Sequence, residues 1–108
     1  MQSTPEPGLA LLTAGRRDLS FDIELPHVVA HARLGAMRAD PAPAGWRITG
    51  LNDQHAHLRH DPAAGPGPKV GDRIGLGISH PCTTFDKWRW MAVVDDDYRI
   101  VDAVTIRF

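Results

Sequence analysis

Arg73-Ile74-Gly75-Leu76-Gly77-Ile78 alternates large apolar residues with small or polar ones. A period of two places Ile74, Leu76 and Ile78 on one face, the pattern of a half-buried β-strand. Gly75 and Gly77 fall on the other face, where strand glycine marks a close approach by another backbone or a ligand. The chain then continues as Ser79-His80-Pro81-Cys82-Thr83-Thr84-Phe85-Asp86-Lys87-Trp88-Arg89-Trp90, which contains its only cysteine and two of its three tryptophans.

On the C-terminal side, residues 88–94 and 98–108 form two apolar-patterned runs separated by Asp95-Asp96-Asp97, which predicts a hairpin with an acidic turn. On the N-terminal side, Trp46 to Leu51 alternates, Asn52-Asp53-Gln54 turns, and His55 to Arg59 returns. Residues 61–69 are a Gly/Pro/Ala loop too poor in apolar side chains to pack, and residues 40–45 are a second loop. Leu9 to Ala14, bounded by Gly8 and Gly15, suits a buried strand, and residues 1–7 read as an extended lead-in. Leu19 to Ile23 alternates as a strand or an extended loop. Residues 25–37 fit strand or helix, and Val28-Val29 favours strand. Short strands with Gly/Pro-rich loops and no long helix predict an all-β fold, a small antiparallel β-barrel or sandwich.

The length of 108 residues and the formal net charge of -1 fit one globular domain spanning 1–108. A chain of this size can bury a core without disulfide staples, and a single cysteine forms no internal disulfide. The expected compartment is cytoplasmic, since residues 1–7 lack the basic-then-apolar order of a signal peptide. No membrane span is expected, for want of a run of roughly 18 apolar residues. The basic residues are not gathered into a stripe, so no nucleic acid is expected as a partner.

The candidate chemistry lies in His80 and Cys82. In an extended chain residues i and i+2 project to the same side, with Cα atoms about 6.5 Å apart. Pro81 restrains His80 to extended backbone and fixes its own φ. Imidazole and thiolate are zinc ligands, and two of them leave room for water or substrate. The competing interpretation is incidental packing, because a free cysteine behaves as a small buried hydrophobe. His55 and His57 form a second i, i+2 pair, His60 reads as solvated, and His27 and His31 would share a face on a helix. Arg16 and Arg17 read as surface charge, and the aspartate run as an exposed turn. Phosphate loops of the common glycine-rich types and serine nucleophile elbows are absent from the sequence.

Three segments together resemble a known family. Gly15-Arg16-Arg17-Asp18-Leu19-Ser20-Phe21-Asp22, Gly50-Leu51-Asn52-Asp53-Gln54-His55-Ala56, and Gly77 to Trp88 with Val101-Asp102-Ala103 are similar to the C-terminal β domain of D-amino-acid deaminases related to D-serine dehydratase and D-threonine aldolase. The resemblance implies a fold-type III pyridoxal-phosphate enzyme, in which a (β/α)₈ barrel carries the cofactor and the β domain closes the site. It further implies zinc held at His80 and Cys82, with the metal acting on the substrate β-hydroxyl, and His55 lining the same cleft.

The family's barrel and its cofactor lysine have no counterpart here, since the chain has only Lys69 and Lys87. A detached domain is therefore expected, with pyridoxal phosphate reaching it only through a barrel domain or chain, and with no lyase activity alone. A face left bare by that separation predicts self-association as a homodimer. A non-catalytic metal-binding or protein-interaction module is the alternative.

Overall fold

The computed structural model describes residues 1–107. In chain order the elements are β1 (Ser3–Glu6), β2 (Leu9–Leu12), β3 (His27–Ala32), β4 (Asp40–Pro41), β5 (Arg47–Leu51), β6 (Ala56–Arg59), β7 (Arg73–Gly77), α1 (Pro81–Phe85), β8 (Trp90–Val94) and β9 (Ile100–Thr105). The fold is predominantly β, as the alternation predicts. Its strands form three antiparallel groups: β1-β2-β6-β5, β4-β3-β7 and the ribbon β8-β9.

The first sheet supplies most of the core. Ala10 and Leu12 of β2, Ala56 and Leu58 of β6, and Ile48 and Leu51 of β5 are all buried. Ile48 and Leu51 are three apart, so a regular strand would turn them to opposite faces. An irregularity in the β5–β6 register between Ile48 and Gly50 absorbs one residue and returns Leu51 to the core. The second sheet closes the core from above with Val28, Ile74 and Leu76. Gly75 pairs with Ala30, where an added Cβ would lie 2.9 Å from the Ala30 Cβ. The expected close approach behind a strand glycine is thus to β3.

Among the described residues no sheet closes into a barrel. Prolines explain part of this, since they remove ladder donors at the edges: Pro5 lies in β1 and Pro41 ends β4. The chain leaving β7 also turns into α1 instead of continuing along the sheet.

Several local expectations are corrected. Residues 1–7 contain a paired strand, β1, because Ser3 and Glu6 align with Leu11 and Leu9. The 40–45 loop contributes the two-residue β4. Of the two alternatives for Leu19 to Ile23 the loop is the one found: the segment bends without pairing, and the Ser20 amide donates to Thr84 Oγ1 of α1. The last hairpin strand spans Ile100–Thr105, shorter than expected, and Phe108 lies outside the described residues. Among the described residues no helix is long and apolar enough to cross a membrane.

His60 is half-buried, not solvated. Its ring packs 6.0 Å from that of Trp46, and its Nδ1 is buried without a hydrogen-bond partner among the described residues. The His31 ring packs at a tilt against the same indole, 5.0 Å between centroids, and hydrogen-bonds Asp72 at 2.8 Å.

Asp72 is only 2 % exposed and collects donors from several elements. They are the amides of Leu34 and Lys69, Nε2 of His31 and the Arg33 guanidinium. Burial alone would push its carboxyl up, but these contacts outweigh it and hold the pKa at about 2.

Candidate metal centre at the start of the short helix

The helix α1 begins where proline is best tolerated, with Pro81 at the first helical position, whose amide has no intrahelical acceptor. Pro81 keeps His80 extended, at φ -133 and ψ 90. The extended backbone ends there, however. Cys82 lies in the first turn of the helix, so the same-side projection expected of an extended i, i+2 pair does not apply. The thiol is free and exposed, and among the described residues no hydrogen bond joins it to His80.

His80 is held by the loop before β3. Its Nδ1 lies 2.6 Å from Oδ2 of Asp22. The other oxygen, Oδ1, accepts from the Thr83 hydroxyl at 3.0 Å, and the same hydroxyl lies 3.2 Å from the His80 carbonyl. The His80 amide donates to Ser20 Oγ at 3.3 Å, and the buried Ser20 amide donates to Thr84 Oγ1 at 2.8 Å. Ser79 completes the seam, with its Oγ accepting from the Glu24 amide and donating to the Glu24 carbonyl, both at 3.3 Å.

The Asp22 carboxyl is consequently held below the usual carboxylate range, chiefly by the His80 contact, which prevails over the opposing effect of burial. Nε2 of His80 has no hydrogen-bond partner among the described residues.

Phe21 extends this surface on one side. The Arg16 guanidinium lies 5.4 Å from its ring centroid and the Lys87 ammonium 5.8 Å. Trp88, just past α1, donates its indole N–H to the Asp18 carbonyl at 2.9 Å.

His55 falls elsewhere, in an open cleft of about 580 Å³ lined by Arg16, Arg17 and residues 51–55. Neither His80 nor Cys82 lines it. The cleft depends on Gly15, where an added Cβ would lie 2.4 Å from the Asn52 carbonyl oxygen and 2.6 Å from that of Asp53. Those carbonyls accept from the amides of Arg16 and Arg17. His55 and His57 do not form a pair: their Nε2 atoms meet Gln2 and Asn52 respectively. His27 pairs with Glu24.

The donor chemistry suits an open zinc corner better than a closed one. Among the described residues no group of three or more histidine, cysteine, aspartate or glutamate side chains is arranged to hold a metal ion. A structural zinc site would need four such ligands. A borderline imidazole and a soft, exposed thiol two residues apart in sequence leave only the option of a partial ligand set.

Residues 1–94 match the family model described as "Putative serine dehydratase domain". The chain belongs to this family. No curated protein matches the sequence. The family match includes Ser20, Asp22, His80, Cys82 and Thr83, and covers β1 through β8. Of these residues, Ser20, Asp22 and Thr83 carry no motif that spacing reveals. Asp22 and His80 are separated by 58 positions, and only the folded loop brings them together.

Proposed function

We propose that this domain supplies the metal-binding half of a pyridoxal-phosphate-dependent D-amino-acid dehydratase or deaminase site, with His80 and Cys82 as zinc ligands. The observation that carries this reading is His80, held by Asp22 at the start of α1, with the exposed Cys82 thiol two residues on in the first turn, within a domain of the serine dehydratase family. The C-terminal place of the domain, its cytoplasmic location and its dependence on a barrel belong to the same proposal.

When bound, zinc and pyridoxal phosphate would supply Lewis acidity toward a β-hydroxyl and an electron sink for Cα respectively. The chain's own residues do the positioning. His80 offers an imidazole nitrogen, Cys82 loses its thiol proton on ligation, and α1 with Ser20 and Thr84 keeps the two on one rigid turn. Neither Lys69 nor Lys87 is placed for a cofactor linkage: Lys69 is exposed beside the Asp72 loop, and Lys87 lies over Phe21. A barrel domain or chain would hold the cofactor.

Metal analysis tests the ligands directly. Purified protein equilibrated with zinc should retain one equivalent, and His80→Ala and Cys82→Ala should each lose it. No retained zinc in the unmodified protein sinks the reading. The isolated chain given pyridoxal phosphate and D-serine should form no pyruvate, and pyruvate formation would overturn the division between domain and barrel.

That no group of three ligating side chains occurs among the described residues favours a second reading, a non-catalytic metal-binding or interaction module. Co-purification with a pyridoxal-phosphate barrel protein decides for the enzyme component. A stable self-dimer that captures no such protein decides for the module.

A further inference from the structure

The metal reading names two ligands but not what aims them. We propose that Asp22 is the positioning residue of the site, fixing His80 as the Nδ1–H tautomer so that Nε2 is the ligating atom, with Thr83 as its brace. This inference rests on the zinc reading above.

A neutral imidazole carries one N–H and one lone pair, whereas an ionised carboxylate only accepts. In the neutral ring the nitrogen 2.6 Å from Asp22 is then the one that carries the proton, and Nε2 keeps the lone pair. Both carboxylate oxygens are engaged, Oδ2 by His80 and Oδ1 by Thr83, which fixes the carboxylate plane. The backbone of His80 is held as well, its amide by Ser20 and its carbonyl by Thr83. Ring, tautomer and backbone are thereby set before any metal arrives. Carboxylate partners of this kind orient metal-bound histidines, and their loss typically weakens metal binding about 10- to 100-fold.

No hydrogen bond links Asp22 to Cys82 among the described residues, so the polar coupling runs through His80. Asp22→Ala and the near-isosteric Asp22→Asn then make a graded pair. Asn keeps an acceptor for Nδ1–H but loses the charge. Zinc affinity, read by competition with a chromophoric chelator, should fall about 100-fold in Asp22→Ala and about 10-fold in Asp22→Asn. Thr83→Ala should lose less than either, and Thr83→Ser should restore binding.

A second readout needs no metal. Long-range ¹H–¹⁵N spectra of the metal-free protein should show His80 protonated at Nδ1, shifting toward the Nε2–H form in Asp22→Ala. Thermal melts confirm that each variant is folded, and Asp22→Asn serves if the alanine variant is not. Equal zinc affinity in a folded Asp22 variant, or Nε2–H in the unmodified protein, overturns the positioning role alone. Unmodified protein that takes up no zinc overturns the metal reading and the ligating role with it.

Discussion

The two larger sheets and the β8-β9 ribbon resolve the same problem in opposite ways. In the body, strands from both sheets bury Leu58, Ala10 and Ala56 completely. In the ribbon the residues are as apolar, yet Ile100 is 70 % and Val101 62 % exposed, and all six residues of β9 are exposed. A lone two-stranded ribbon is marginally stable in water. This one is tied at its ends instead. At the base Trp88 reaches Asp18, and at the tip Arg38 pairs with Asp97 while Arg73 lies over Tyr98. The body exposes apolar side chains too, Leu34 and Ile23 among them, but it also encloses a buried core, whereas no residue of the ribbon strands is buried. Helix α1, with His80 and Cys82, joins the two.

Truncation in each region gives the sharpest contrast. Leu58→Ala should cost about 3–4 kcal/mol, read by denaturant unfolding, because a fully buried leucine leaves a cavity. Val101→Ala should stay within about 0.5 kcal/mol in the isolated chain. A loss at Val101 as large as that at Leu58 would break the contrast.

Next in size is Asp72. Asp72→Ala should cost roughly 3 kcal/mol, since it strands the His31 and Arg33 donors and two amides around a buried position. The charge also has a pH signature. The folded pKa of about 2 lies below the usual aspartate value, so below about pH 4 the unfolded chain binds more protons and stability falls as the pH falls. About 2 kcal/mol of stability should be lost between roughly pH 4 and pH 2 in the native protein, and this loss should be missing from the Asp72→Asn variant. Identical acid profiles for the two would refute this.

Gly15→Ala should cost about 1–3 kcal/mol and alter the amide spectra of Arg16, Arg17 and His55, because the added methyl meets backbone oxygens that cannot move aside alone. Unchanged spectra would show that the two loops are not locked together.

The smallest effect on stability should come from Trp90→Lys combined with Val101→Lys. Melting should barely move, while sedimentation should shift from a self-associated species toward monomer, the ribbon being the bare apolar face. A strict monomer before substitution would remove self-association as the ribbon's cover.

The division between legible and hidden features follows from range. Alternation in Arg73 to Ile78 and Trp46 to Arg59 revealed β5, β6 and β7, because period two is a local signal. The five residues of α1 are too few for helical periodicity, and its only sequence mark, Pro81, also suits extended chain. The register irregularity before Leu51 and the open edges depend on how strands meet. At the site, His80 and Cys82 were visible as residue types. Asp22, Ser20 and Thr83 were not, since ordinary polar residues acquire a role only from a loop folding back on α1.

The three indoles are divided unevenly between the regions. Trp46 is packed between His31 and His60 in the body, while Trp88 and Trp90 lie exposed at the foot of the ribbon. The molecule thus carries its own optical gauge. Anything that seals the ribbon should move the emission of Trp88 and Trp90 to shorter wavelength, whereas unfolding that draws the two imidazoles away from Trp46 should change the emission of that indole, so docking and loosening of the body can be followed separately in one cuvette.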